Sequence, residues 1–458
     1  MVAPVTCSAV AERLVVIGGD AAGMSAATNA RRGRPDLEII ALEQGAHTSY
    51  SACGIPYVVG GSVGGIDDLV VRTPQEFRDQ HRIDVRTRHR VTGVDLSARR
   101  VEVRALDQAR TLHLGFDHLV LATGARPLRP DVPGVDQDWV HGVQTLEDAA
   151  GLLAAAASGR CRDVVIVGAG YIGLEMAEAF VDRGARVTLV DRRPYPLGSV
   201  DEPIGSRITE VLEGYGVTVR CGVDVKGIGD HVVETSDGSL VADLVVLGTG
   251  VTPNSSLLID AGVAAGAKGA VRVDHRQRTS VEGVWAAGDC ADVFHQVSKE
   301  RVHIALGTVA NKTGRVAGLN IGGRYASFPG VLGTAVTRVC EVEIARTGLD
   351  SAEADRAGIE FVVGEAVSTS RAGYYPSAVE VLVRLLAEKG SGRVIGGQLI
   401  GADRVGKRID VVATAMVGSL TVYDLVDLDL AYAPAIATTW DPFQVAARDA
   451  IRKLGSLR

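Results

Sequence analysis

An α/β fold containing two doubly wound, dinucleotide-binding units is what this sequence predicts. Its 458 residues exceed what one hydrophobic core organises and point to two to four domains. Two segments, Arg13 to Glu43 and Asp163 to Asp191, repeat one plan: an apolar strand, a glycine-rich turn, a helix of small residues and a second strand ending on a carboxylate. Two more strands run into glycine beside a polar group, at Leu121-Ala122-Thr123-Gly124 and at Val284-Trp285-Ala286-Ala287-Gly288-Asp289.

In the first copy, the strand Leu14 to Ile17 enters the turn Gly18-Gly19-Asp20-Ala21-Ala22-Gly23, a helix runs from Ala22 to about Arg32, and the strand Leu37 to Leu42 ends at Glu43. Gly18 permits the tight turn, Gly23 lets the helix approach the sheet, helix N-terminal N–H groups suit a pyrophosphate, and Glu43 suits a ribose hydroxyl. Asp20 stands where the fingerprint has its second glycine, so its side chain must turn away from the phosphates. About ten residues further on lies Thr48-Ser49-Tyr50-Ser51-Ala52-Cys53-Gly54-Ile55-Pro56-Tyr57, with no second cysteine nearby. Gly-Ile-Pro after Cys53 fits the first turn of a helix, where free N–H groups favour an anion and a stabilised thiolate is expected.

The second copy is complete. Val164 to Val167 leads into Gly168-Ala169-Gly170-Tyr171-Ile172-Gly173, a helix follows to about Arg183, and Arg186 to Val190 ends at Asp191, 23 residues after Gly168. Asp191 favours an unphosphorylated ribose, while Arg192 and Arg193 could pair a 2′-phosphate.

Composition excludes several classes. A net charge of −7 and the absence of a basic stripe with aromatics argue against a nucleic-acid partner. No apolar run reaches the ~18 to 20 residues of a spanning helix, and Met1 to Arg13 lack the pattern of a signal peptide, so a cytoplasmic protein without a membrane segment is expected. Six cysteines, at 7, 53, 161, 221, 290 and 340, are too scattered for a metal site or a disulfide framework. All but Cys53 read as small apolar fillers.

Together, the unit Gly18 to Glu43, Ala122-Thr123-Gly124, the unit Gly168 to Asp191 and Gly288-Asp289 resemble the flavin-dependent pyridine nucleotide-disulfide oxidoreductases over nearly the whole chain. The resemblance implies two Rossmann-like domains, for FAD and for NAD(P), and a C-terminal α+β dimerisation domain. The FAD domain is then discontinuous, at 13–145 and 266–329, around a nicotinamide domain at 146–265, with the interface domain at 330–458. FAD is implied at Gly18, Gly23, Glu43, Ala122, Thr123, Gly124, Gly288 and Asp289, the last on the ribitol chain. NADH or NADPH, with NADH favoured, is implied at Gly168, Gly170, Gly173 and Asp191; Tyr171 matches the aromatic gate over the flavin, and Glu175 a carboxylate facing the nicotinamide.

Larger members carry a second cysteine where this chain has Thr48, so an internal dithiol cycle is excluded and Cys53 resembles the redox thiol of the single-cysteine branch. Coenzyme A-disulfide reductases, NADH oxidases, NADH peroxidases and persulfide reductases form that branch. Peroxidases and many oxidases carry histidine at the position of Ala21, which turns the resemblance toward disulfide reductases. Tyr374 and Tyr432 match the reductase tyrosines that reach the other subunit's cysteine and serve its leaving thiolate, and Ser49 matches a substrate-binding serine. A homodimer with a shared site is thereby implied. The family's Ala-Pro-Pro-aromatic-Ser after the second tyrosine is Ala433-Pro434-Ala435-Ile436-Ala437 here, which alters the substrate channel and leaves the thiol open. The expected activity is therefore reduction of a small disulfide or persulfide, as in coenzyme A-disulfide reductases, with an oxygen-reducing oxidase and a flavin-based redox sensor as the alternatives.

Overall fold

The computed structural model describes residues 12–158, 161–402 and 404–455. Cys7 lies outside them. The first unit opens with β1 (Arg13–Ile17), α1 (Ala21–Gly33) and β2 (Glu38–Leu42). It continues through α2 (Ile55–Gly60), α3 (Pro74–His81), β3 (Asp84–Arg86), an antiparallel three-stranded flap of β4 (His89–Asp95), β5 (Arg100–Ala105) and β6 (Arg110–Gly115), then β7 (His118–Leu121) and β8 (Ala125–Pro127).

A second unit follows, with β9 (Val140–His141), α4 (Leu146–Ala157), β10 (Asp163–Val167), α5 (Tyr171–Asp182), β11 (Arg186–Asp191), α6 (Glu202–Gly214) and β12 (Thr218–Cys221). A small flap of β13 (Val225–Gly229), β14 (Val232–Thr235) and β15 (Gly238–Val241) precedes β16 (Leu244–Leu247) and β17 (Val251–Pro253). The chain then rejoins the first unit through α7 (Ser256–Ile259), β18 (Val284–Ala286), the ribbon β19 (Val293–Phe294) and β20 (Arg301–Val302), and α8 (Gly307–Ile321).

Both main sheets are parallel, in the orders β18-β7-β1-β2-β3 and β12-β11-β10-β16-β9. Their central strands are apolar without alternation because both faces are covered: Leu14, Val15 and Val16 are fully buried, as is Ile166. The late strand β18 beside β7 makes the first unit discontinuous. β8 pairs antiparallel with β17 where the chain leaves and re-enters, and β9 already belongs to the second sheet. Hydrogen bonding, not the glycine motifs, defines where each sheet begins: β8 ends at Pro127 and β17 starts at Val251.

One packing feature has no counterpart in the dinucleotide motifs. Helix α8 presents Gly314 and Gly318 one turn apart, with Gly322 just past its end, and a Cβ on Gly314 or Gly318 would fall 2.2 or 2.3 Å from the carbonyl oxygens of Ala22 or Ala26 on α1. The two backbones touch along this stripe, and the start of α1 also lies against the turn after β18, where a Cβ on Gly288 would fall 2.8 Å from the Cβ of Ala22.

The C-terminal domain is an antiparallel sheet in the order β21-β22-β25-β24-β23, from β21 (Ala335–Val339), β22 (Val342–Gly348), β23 (Phe361–Thr369), β24 (Glu380–Glu388) and β25 (Val394–Ala402). Short α9 (Ser351–Arg356) follows β22, and α10 (Ile409–Val417), α11 (Val422–Val426) and α12 (Pro442–Leu454) cover the sheet. Capping fixes helix starts: Thr73 with Glu76, Thr145 with Asp148, and Asp441 with Gln444 form reciprocal boxes. No helix among the described residues is long and apolar enough to cross a membrane.

Candidate functional site

The two glycine turns open onto one cleft of about 2490 Å³. That exceeds the ~300 to 1,000 Å³ of an ordinary small-molecule site and leaves room for two extended ligands. On one side it is lined by Gly18, Glu43, Ala122, Thr123, Gly124, Gly288 and Asp289, on the other by Gly168, Gly170, Tyr171, Glu175 and Asp191, with Cys53 and Ala21 between.

At the first turn, Gly18 has φ +108°, and a Cβ there would sit 2.1 Å from the Ala122 carbonyl, so the neighbouring strand end admits only glycine. Glu43 accepts from the N–H of Gly19 at 2.8 Å and of Gly45 at 2.7 Å, which aims its carboxylate at the cleft. Asp20 does turn aside, accepting from the Tyr50 N–H at 3.2 Å. Burial, against the pull of two N–H bonds, pushes its carboxyl up to about 6. Thr48, at the place of a second cysteine, is fully buried and donates its hydroxyl to the Gly19 carbonyl. Its role is to brace the turn. Thr123 Oγ1 donates to the Asn254 carbonyl at 2.5 Å, and Asn254 Nδ2 returns a bond to Thr123 O at 3.1 Å, locking the two crossing segments together.

Asp289 carries the clearest vacancy for a ligand donor. Its Oδ1 is buried without a hydrogen-bond partner among the described residues, while its backbone carbonyl engages His303 at 2.7 Å. An acceptor so placed suits a polyol hydroxyl, and with Glu43 and the open space over Gly124 it fits FAD.

At the second turn, Gly173 packs behind the cleft, where a Cβ would fall 1.9 Å from the Gly168 carbonyl; Gly23 stands in the same relation to Gly18. Over Gly170 a Cβ would meet one atom only, the Gly248 carbonyl at 3.6 Å, so the floor is open to a pyrophosphate. Asp191 is bonded more fully than its position in the sequence implies: Oδ2 accepts from Ala169 N at 2.7 Å, and Arg193 grips both oxygens at 3.0 and 2.8 Å. Burial acts to raise its pKa, but these bonds outweigh it and hold the carboxyl below its ordinary range. Arg193 is thus neutralised locally, while the exposed Arg192 faces the cleft.

Cys53 lies in a single 3-10 turn, Ala52–Gly54, that runs into the short α2 with Pro56 in its first turn. The expected thiolate stabilisation is not supplied by the protein alone. Burial pushes the Cys53 thiol up, and the charges of Glu175 and Asp289 push it further, because α2 has only six residues while the cleft around the sulfur is acidic. Glu175 is itself raised by burial, against the pull of the Thr337 hydroxyl, which donates to it at 2.6 Å from the C-terminal domain. Thr337 carries no motif and is visible only in the fold.

Tyr374 and Tyr432 do not reach Cys53 within one chain. They stand 78% and 50% exposed on the C-terminal domain, away from the cleft. Ile436 and Trp440, shortly after Tyr432 in sequence, are exposed as well. Ser49, with φ +51°, also stays off the lining; its carbonyl holds the segment Val71-Arg72.

Residues 12–314 match the model of the pyridine nucleotide-disulphide oxidoreductases, and residues 334–442 match the dimerisation domain of that family. A protein of Pyrococcus abyssi named NAD(P)H sulfur oxidoreductase (CoA-dependent) is 39% identical over 96% of this chain and 98% of its own. An NADH oxidase of Methanocaldococcus jannaschii is 34% identical over 97% and 100%. Among solved structures, an NAD-dependent persulfide reductase from A. fulgidus superposes with a TM-score of 0.93 at 37% identity, covering 96% of this chain and 83% of that one.

Proposed function

The chain belongs to the pyridine nucleotide-disulphide oxidoreductases, and on that premise we propose that it is an FAD-dependent NAD(P)H reductase of small disulfides or persulfides acting through Cys53. The observation that carries this reading is the lone Cys53 between the two glycine turns, with Thr48 braced on Gly19 where a resolving thiol would be needed and Ala21 where a proton-handling histidine would serve peroxide. Relatives named sulfur oxidoreductase, polysulfide/persulfide reductase and coenzyme A disulfide reductase support the substrate class, including its coenzyme A link.

Glu43, Thr123, Gly288 and Asp289 would hold FAD; Gly168, Gly170 and Asp191 would hold the pyridine nucleotide, with Tyr171 as the aromatic gate over the flavin. When bound, FAD supplies relay chemistry, passing the electron pair of NAD(P)H to a disulfide at Cys53. The work of this chain's own residues is nucleophilic. The Cys53 thiolate attacks one sulfur of RSSR, forming the mixed disulfide Cys53–S–S–R and breaking the original S–S bond, and the departing RS⁻ takes a proton from Tyr374 or Tyr432. Reduction of the mixed disulfide by two electrons returns Cys53 and releases the second thiol, so that NAD(P)H, one proton and RSSR yield NAD(P)⁺ and two RSH.

The exposure of both tyrosines in one chain supports a homodimer in which each serves the partner's Cys53, and the matched dimerisation domain supports the same assembly. NADH is favoured, because Asp191 absorbs the charge of Arg193 and presents a buried carboxylate to the ribose. The free thiols of Cys161, Cys221, Cys290 and Cys340 support a reducing, cytoplasmic setting.

The test is anaerobic reduction of the flavin-loaded protein with NADH or NADPH, then addition of coenzyme A disulfide, other small disulfides and a persulfide while thiol release is counted. Two thiols per NAD(P)H oxidised are expected from a disulfide, and one thiol with one hydrogen sulfide from a persulfide. In a parallel aerobic assay, oxygen uptake matching NADH consumption without thiol release would instead make it an oxidase, and negligible turnover with every acceptor would make it a flavin-based sensor.

A further inference from the structure

The loop 192–201, which follows β11, touches the nucleotide site at one end and is gripped by the C-terminal domain at the other. Near its start, Arg193 pairs with Asp191, Leu197 donates its N–H to the Ala169 carbonyl inside the second glycine turn at 2.7 Å, and Gly198 lies so close under Arg193 that a Cβ there would collide with it. At its far end four side chains of the C-terminal domain converge on two residues, Ser199 and Asp201. Arg346 donates to the Ser199 carbonyl at 2.6 Å. Asp201 accepts from the Ser351 N–H and hydroxyl, both at 2.9 Å, and from Arg384 at 3.1 Å, while its own N–H donates to Gln398 at 2.7 Å.

The chemistry of this grip is unlike that of an adhesive contact. The Arg346 side chain is 8% exposed and is oriented by Glu353 at 2.6 Å and Asp350 at 3.8 Å; Asp201 and Arg384 are likewise largely buried. Burying such charges returns little net stability, but a hydrogen-bonded set of this kind fixes one geometry. Tyr171 lies at the same junction. Burial raises its phenol, and the nearby Arg346 charge and Ser199 hydroxyl oppose that rise.

We infer that Arg346 and Asp201 are positioning residues for the pyridine nucleotide: through them the C-terminal domain holds loop 192–201, and with it Arg193, the second glycine turn and Tyr171, in the nucleotide-receiving arrangement. The inference rests on the reading of Gly168 to Asp191 as the nucleotide site. It makes nucleotide affinity depend on side chains of a domain other than the one that carries the glycine turn and Asp191.

The experiment is calorimetric titration of flavin-loaded Arg346→Met, Arg346→Lys, Asp201→Asn and Ser351→Ala proteins with NAD⁺ and NADP⁺, beside anaerobic stopped-flow of each half-reaction. Arg346→Met and Asp201→Asn should weaken NAD⁺ binding about tenfold and slow flavin reduction at low NADH, while reoxidation of photoreduced enzyme by a disulfide stays within about twofold. Arg346→Lys should recover a substantial part of the affinity. Ser351→Ala removes one hydroxyl without stranding a charge, so it keeps the test open if the charged variants fail to fold, and a smaller loss in the same direction is expected. Unchanged nucleotide affinity in every variant that folds, or reductive and oxidative half-reactions falling together, would overturn the inference. A parent protein that binds neither nucleotide would overturn the site reading itself, and the inference with it.

Discussion

Cys53 is a thiol whose surroundings, without ligands, disfavour the charged form that its chemistry needs. Since its pKa is raised, by burial first and then by Glu175 and Asp289, the thiolate fraction at neutral pH is small and grows with pH. Alkylation of Cys53 in flavin-free protein should therefore accelerate about tenfold per pH unit from 7 to 9, without a plateau. A plateau below pH 8 would refute the acidic-cleft account. In the loaded enzyme, Cys53→Ser should abolish disulfide turnover yet leave flavin reduction by NADH near the parent rate; retained turnover would remove the thiol from the mechanism. Asp20 gives a stability test. Its carboxyl is near 3.8 unfolded and about 6 folded, so its ionisation destabilises the fold as pH rises through 6, and the penalty vanishes below the unfolded value. Asp20→Asn should stabilise flavin-free protein at pH 7.5 by up to about 3 kcal/mol, a gain that shrinks toward pH 4. Thermal unfolding at several pH values reads this directly. Asp20 and Asp191 were both legible as carboxylates at a nucleotide site, but the partners that set their charge, Tyr50 and Arg193, were not readable as such.

At the scale of elements, the two βαβ units were legible because their glycines answer local demands: a turn with positive φ at Gly18 and Gly168, and helix contact at Gly23 and Gly173. The stripe Gly314, Gly318 and Gly322 escaped notice because its partner, α1, lies almost three hundred residues earlier and nothing local requires glycine in a helix. Gly318→Ala should improve helix propensity yet lower stability by about 1–3 kcal/mol, since its Cβ would fall 2.3 Å from the Ala26 carbonyl. Denaturant unfolding of the flavin-free variant checks the sign, and a more stable variant would show that the helices can separate at no cost.

For the whole molecule, Tyr374 and Tyr432 stand exposed and off the cleft that Cys53 lines, so the proposed mechanism needs a second copy of the chain to bring a tyrosine to the thiol. Complementation follows. Cys53→Ser and Tyr432→Phe homodimers should each turn over disulfide poorly. Heterodimers formed from the two should regain close to half the parent activity, because one of their two sites joins an intact Cys53 to an intact Tyr432. Heterodimers no better than the parents would place the tyrosine's role elsewhere. Domain order was legible from where the motifs fall, whereas the crossings at β8 and β17 were not, because strand pairing across 126 residues has no local signature.

By itself the sequence determined the α/β class, the two glycine turns with their terminal carboxylates, and the single thiol without a resolving partner, because each rests on residue types that few local geometries accept. Only the tertiary structure decided which charges surround that thiol, that Arg193 occupies Asp191, that Thr337 reaches Glu175, and that Arg346 and Asp201 join the C-terminal domain to the nucleotide loop. These are contacts between ordinary polar residues far apart in the chain. Their energetics depend on burial and distance, which no spacing in the sequence encodes.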